Sequence, residues 1–83
     1  MGSKKLTKEA VLNYINGILN INADFSSGDV SSLSYRTKYV IMVGVGTEIS
    51  SYLGEQIANI GPTAFKACDS VESMITLVEV SLL

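Results

Sequence analysis

The sequence predicts an α+β fold in which two helices cover one face of a four-stranded, mainly antiparallel sheet. Two segments, near the N-terminus and after residue 47, place apolar residues at helical spacing. A continuous apolar run at residues 39–43 is typical of a strand that is buried on both faces. Residues 74–82 are rich in β-branched side chains, which favour strands. The expected order of elements is helix, strand, strand, helix, strand, strand.

Size and composition limit what this chain can be. Its 83 residues suit one domain with a small core. We interpret residues 1–5 as a tail or cloning remnant and residues 6–83 as a single small α+β domain of regulatory type. The net charge of −2 provides no basic face and argues against a nucleic-acid partner. The longest apolar run is too short to cross a bilayer, and no signal peptide is visible, so we expect a cytoplasmic protein with no membrane partner.

The absence of histidine and the single cysteine narrow the chemistry. Ser-His and Cys-His nucleophile pairs and the commonest metal ligand are excluded. Cys68 has no partner within the chain for a disulfide, which favours a reducing compartment, and we expect this cysteine to be buried or at a sheet edge. The sequence therefore predicts no catalytic residue, no metal site and no cofactor.

The first helix is predicted from Thr7 to Asn20. Thr7 is suited to cap it, and Glu9 lies where the helix dipole favours a negative charge. The stripe expected to face the core consists of Val11, Leu12, Ile15, Ile18 and Leu19.

A hairpin is predicted next. Its strands are residues 30–35 and 39–45, with Arg36–Lys38 as the turn. Thr47 is then expected to cap the second helix, whose apolar residues recur at spacings of four, four and three and are Ile49, Leu53, Ile57 and Ile60. Gly61-Pro62 is predicted to end that helix.

The last two strands are predicted at Thr63–Asp69 and Met74–Leu82. The final strand carries no polar protection, and such an edge invites pairing with another chain, so we expect a homodimer through this sheet edge or through a helix. The residues predicted for the core are Val11, Ile15, Ile18, Val40, Met42, Leu53, Ile57 and Ile75.

The Gly-x-Gly sequence at residues 44–46 suggests three interpretations. A dinucleotide fingerprint would need a third glycine at position 49, where Ile49 stands, and a Walker loop would need a lysine, which is absent between Lys38 and Lys66. A helix N-terminus after the glycines could instead bind the carboxylate of a small metabolite. The glycines could also serve only to make a tight turn.

A resemblance to a known family covers most of the chain. "YVIMVGVG", followed by a helix and then by "TAFKACDSVESMITLVEV", resembles the regulatory ACT domains of aspartate kinases. In that family a strand ending in Val-Gly-x-Gly leads to a helix, and a Ser-Glu-x-x-Ile pattern opens the third strand. The resemblance implies a ferredoxin-like fold, ACT-like or a permuted version of it. It also implies an effector-sensing, oligomerising fragment of the C-terminal region of an aspartate kinase, not catalytic alone although the parent would be a phosphotransferase.

The same resemblance implies a binding site for an amino-acid effector of the lysine, threonine or methionine class. The residues expected to form this ligand-binding site are Gly44, Val45, Gly46, Thr47, Glu48 and Phe65.

Two alternatives belong to other classes of protein. Ser31-Ser32-Leu33 resembles the Asp-Ser-Leu attachment site of acyl carrier proteins, and "VLNYINGILNI" resembles the opening helix of a carrier. This resemblance implies a nearly all-helical protein with a prosthetic group on Ser32. The other alternative is a small self-associating structural module.

Overall fold

The computed structural model describes residues 6–18 and 27–82. These residues form four α-helices and one 3₁₀ helix: α1 (Lys8–Ile18), α2 (Tyr35–Ile49), α3 (Ser51–Ile60), the 3₁₀ helix (Pro62–Ala67) and α4 (Val71–Ser81). The described part of the chain contains no strand, and its one extended pairing is an isolated antiparallel bridge between Asp29 and Ser70. The predicted α+β, ferredoxin-like fold is therefore wrong, because the described residues have an all-α architecture.

Helix α1 begins as predicted. The Ala10 N–H donates to the Thr7 hydroxyl at 3.1 Å, so Thr7 caps the first turn, and Glu9 lies in that turn. Val11 and Ile15, one helical turn apart, are buried. The predicted end of this helix, at residues 19–20, lies outside the described residues.

Helix α2 replaces the turn and the second strand of the predicted hairpin, together with the predicted Gly-x-Gly turn. The strand predicted over residues 30–35 is also wrong, because residues 30–34 form turns that lead into this helix. The Thr37 N–H donates to the Ser34 hydroxyl at 3.2 Å, which starts a helix of 15 residues through the whole apolar run. Its buried positions follow helical spacing and are Lys38, Ile41, Met42, Val45 and Gly46. The run looked like a buried strand because Val40, on the outer face, is also apolar although its side chain is 58% exposed.

A single residue, Ser50, separates α2 from α3. Its backbone is extended, its N–H donates to the Gly46 carbonyl at 2.9 Å, and its hydroxyl accepts from the Leu53 N–H at 3.1 Å. Ser50 thus ends one helix and caps the next. The predicted cap, Thr47, lies inside α2 and donates its hydroxyl to the Val43 carbonyl at 2.8 Å.

The predicted end of α3 is confirmed. Gly61 follows the helix with a φ of 90°, a conformation that favours glycine, and Pro62 opens the 3₁₀ helix. The strand predicted over Thr63–Asp69 is therefore wrong, because most of that segment belongs to the 3₁₀ helix.

The strand predicted over Met74–Leu82 is also wrong. Ser70 and Ser73 form a reciprocal capping box, with each hydroxyl accepting from the other's backbone N–H at 3.1 Å. Val71, Met74 and Val78 are buried at helical spacing along α4. The sheet edge expected to join two copies is absent from the described residues, while dimerisation itself stays a prediction.

The predicted core is partly confirmed. The buried members are Val11, Ile15, Met42 and Ile57; Leu53 and Ile75 are partly buried, whereas Ile18 and Val40 are exposed. The sequence interpretation left out Phe65 and Met74, which are fully buried where the 3₁₀ helix and α4 join the core.

Glycines let α2 approach its neighbours closely. A Cβ on Gly44 would overlap the phenol of Tyr14 from α1, whose Cε1 would lie 3.0 Å away. A Cβ on Gly46 would lie 2.5 Å from the Ile57 Cδ1 of α3, and one on Gly54 would overlap the Thr47 side chain. The Gly-x-Gly sequence therefore serves helix packing in this fold.

We predict that Gly54→Ala destabilises the protein. The new Cβ would lie 3.0 Å from the Thr47 Cα, which is backbone and cannot move without separating α2 from α3. Such overpacking costs about 1–3 kcal/mol. The matched control is Gly17→Ala in α1, where a Cβ meets nothing within 4 Å and higher helix propensity adds up to about 1 kcal/mol. Urea unfolding measures both changes, and equal stability of the two variants would contradict the packing.

Candidate functional site

The segment Gly28–Ser34, called the serine segment below, leads into α2. The Val30 N–H donates to the Asp69 carbonyl at 3.0 Å, and the Val71 N–H donates to the Gly28 carbonyl at 2.8 Å. The Val30 side chain is fully buried. The backbone of the segment is thus anchored to the start of α4.

Asp29 organises the first half of the serine segment. Its Oδ1 accepts from the Ser31 N–H at 2.9 Å and from the Ser31 hydroxyl at 2.7 Å. The hydroxyl bond, followed by the backbone bond, lowers the pKa of the Asp29 carboxyl. The Ser31 hydroxyl is therefore engaged by a carboxylate that is ionised at neutral pH.

The three serines of the segment differ in what their hydroxyls do. Ser34 is the N-cap of α2: its hydroxyl accepts from the Thr37 N–H and forms a second bond with the Thr37 hydroxyl at 2.9 Å. Ser31 is held by Asp29. Ser32 is exposed, and its hydroxyl forms no hydrogen bond with any described residue. Ser32 is thus the serine of the segment whose hydroxyl is open to reaction from solvent.

A concave feature lies between α1 and the end of α2. It is an open groove of about 600 Å³, lined by Tyr14 and Gly17 on one side and by Val45, Glu48 and Ile49 on the other. Its lining is mainly apolar, with the Glu48 carboxylate at one border. The groove could accept an apolar group, but none of the described residues that line it carries a positive charge for an anionic ligand.

The structure spreads the predicted effector residues along two elements. Gly44, Val45 and Gly46 lie in the interior of α2. The N–H groups of residues 47–49, which were expected to open a new helix and bind a carboxylate, lie in the last turn of the same helix, where helical hydrogen bonds occupy them. The other residues lie apart: Thr47 and Glu48 are exposed near the end of α2, and Phe65 is fully buried on the 3₁₀ helix. Val45 and Glu48 share the groove beside α1. That these residues bind an amino acid stays a prediction.

Sequence reasoning missed the role of Lys38, which it placed in the turn of a hairpin. Its side chain is 3% exposed, and its ammonium donates to the Cys68 carbonyl. Cys68 is buried, as predicted. Positions 38, 41, 42 and 45 share one helical face, and that spacing was the signal for burial of the lysine.

Other site chemistries find no support in the described part of the chain. Residues 6–18 and 27–82 contain no group of three histidine, cysteine, aspartate or glutamate side chains placed to hold a metal ion. No helix within these two ranges combines the length and apolarity needed to cross a bilayer.

Comparison of the chain with protein-family models, curated proteins and solved structures finds no match.

We predict that Ser34→Ala lowers the free energy of unfolding by about 0.5–2 kcal/mol, because the Thr37 N–H loses its side-chain acceptor. Ser34→Asp should keep most of the stability, since a carboxylate at this position also accepts and suits the helix dipole. Ser32→Ala is the matched control and should change stability by less than about 0.5 kcal/mol. Urea unfolding tests the series, and equal losses for Ser34→Ala and Ser32→Ala would show that Ser34 does not cap α2.

Proposed function

We propose that this chain is a carrier-type domain that holds a prosthetic group on Ser32. The observation that carries the proposal is the contrast among the three serines of an anchored segment. Two hydroxyls are engaged in local structure, and the third, on Ser32, is exposed and uncommitted among the described residues. A reactive arm attached there would start from a backbone position that is anchored to α4, three residues before the longest helix described.

The architecture supports this alternative over the regulatory one. A carrier protein is expected to be nearly all helical, and the described residues are helical with no strand. An effector-sensing domain of the ACT type depends on a sheet, which these residues lack.

The sequence departs from the carrier pattern in the short spacing between the first helix and Ser32, and at one position of the attachment motif itself. Ser31 stands where a carrier has its aspartate. In this chain Asp29 brings a carboxylate to the same short segment, since its Oδ1 lies 2.7 Å from the Ser31 hydroxyl. A carboxylate is therefore present in the attachment segment, bonded to the residue that precedes Ser32.

The proposed attachment requires a separate enzyme. The Ser32 oxygen would attack the phosphorus of a nucleotide-linked donor that carries the arm, so that a serine phosphodiester forms, the donor's phosphoanhydride bond breaks and the 5′-phosphorylated nucleotide (adenosine 3′,5′-bisphosphate when the donor is coenzyme A) leaves. A base must take the hydroxyl proton. This chain has no histidine, and the lowered pKa of Asp29 makes that carboxylate a weak base. The chain is thus the substrate of the loading reaction, and a partner supplies the base.

Incubation with coenzyme A and a phosphopantetheinyl transferase of broad specificity tests the proposal, because coenzyme A is a common source of carrier arms. We expect the intact mass of the wild-type chain to increase by one phosphopantetheinyl group, and fragmentation to place the group on Ser32. Ser31→Ala keeps the Ser32 hydroxyl and should still be loaded, whereas Ser32→Ala should gain no mass. A wild-type chain that is folded and gains no mass, or a Ser32→Ala variant that is loaded, would contradict the proposal.

A further inference from the structure

Half of the basic residues of this chain lie on the first turn of α2 or on the 3₁₀ helix that packs beside it. Three of the six lysines and arginines are Arg36, Lys38 and Lys66, and the others stand within the first eight positions of the sequence. Among these others, Lys8 forms an ion pair with Glu72 at 3.4 Å. In a chain with a net charge of −2, this is a local concentration of positive charge.

Two of these cations contact the same aromatic ring. The Arg36 Cζ lies 5.8 Å from the centroid of the Tyr35 ring, and the Lys66 Nζ lies 4.9 Å from it. Both distances are in the range of cation–π attraction. A hydrogen bond with Arg36, and then the charges of Arg36 and Lys66, lower the pKa of the Tyr35 hydroxyl. The Tyr35 ring therefore brings together two cations from different elements.

The buried face of α2 fixes the position of Lys66. The Lys38 ammonium donates to the carbonyl of Cys68, two residues beyond Lys66. The ring of buried Phe65 lies 6.2 Å from the ring of Tyr39, which is also on α2. These contacts hold the 3₁₀ helix against α2 on both sides of Lys66 in the sequence, so that its ammonium reaches Tyr35 from a fixed backbone.

No carboxylate neutralises this cation pair in the described residues. The acidic residue nearest to Lys66 in the sequence, Asp69, lies beyond 4.0 Å from both cationic groups. Asp29 is bonded to Ser31. The side chains of Arg36 and Lys66 are exposed, so both charges can meet a ligand from solvent.

We propose that Arg36 and Lys66, held on Tyr35, bind a phosphate ester. The guanidinium supplies a planar pair of donors and the ammonium a compact charge, a combination that suits phosphate oxygens. Arg36 lies four residues after Ser32, so the natural ligand is the phosphodiester of the group attached there. This identification of the ligand rests on the proposed function, whereas phosphate binding by the cation pair does not.

The first experiment uses the unmodified chain and inorganic phosphate. Amide and side-chain NMR signals of Tyr35, Arg36 and Lys66 are followed during titration with phosphate, with chloride at matched ionic strength as the reference. We expect saturable shifts with phosphate that chloride does not cause. The Arg36→Gln/Lys66→Gln double variant should weaken binding about tenfold or more, and the matched control Lys8→Gln should leave it unchanged. Shifts that are the same for phosphate and chloride, or unaffected in the double variant, would overturn the proposal.

The second experiment distinguishes an attached phosphate ester from a free one. The ³¹P chemical shift of the loaded wild-type chain is compared with that of the loaded double variant over a range of salt concentrations. A shift that depends on Arg36 and Lys66 identifies the attached phosphodiester as the ligand, and identical ³¹P signals overturn that identification. A chain that is never loaded but binds inorganic phosphate through this pair refutes the proposed function and supports a site for free phosphate esters.

Discussion

The described fold depends on how closely α2 packs against the helices on either side of it. A helix that touches two neighbours needs small residues wherever its backbone is the contact surface, because side chains there would force the helices apart. The absence of a side chain at Gly44 leaves room for the phenol of Tyr14 from α1, and Gly46 lies against Gly54 and Ile57 of α3. The 3₁₀ helix is held to the same α2 by the Lys38 bond to the Cys68 carbonyl and by the Tyr39–Phe65 ring contact. The glycines that suggested a ligand-binding turn are thus the positions that bring these helices into contact.

Helix starts and ends that depend on interactions between adjacent residues could be predicted from the sequence. The Thr7 cap and the stop at Gly61 were predicted correctly because each depends on a few adjacent residues. The mistakes on α2 and α4 arise because apolar residues occur on exposed as well as buried faces of these helices, which hides the helical period. Val40 and Val80 are both more than half exposed. The better guide was the set of serine caps at Ser34, Ser50 and Ser70, each of which starts a helix with a side-chain bond.

The candidate site was predicted only in part. The Ser-Ser-Leu sequence drew attention to Ser32, but it could not separate this serine from Ser31 and Ser34, because the difference lies in the bonds that each hydroxyl makes. The cation–π contact of Lys66 with Tyr35 depends on tertiary packing between residues 31 positions apart, so the local sequence does not indicate it. The buried Lys38 had a signal in its helical register, which the strand interpretation of the same residues obscured.

The packing of α2 against α1 and α3 is tested most directly by nuclear Overhauser spectroscopy on the isotopically labelled chain. The structure predicts strong cross-peaks between the ring protons of Tyr14 and the α protons of Gly44, and between the β proton of Thr47 and the α protons of Gly54. Sequential amide–amide contacts should continue through residues 35–49, as in a helix. Absence of both inter-helix cross-peaks, together with cross-strand α–α contacts within residues 39–45, would contradict the packing of α2 and the all-α fold that depends on it.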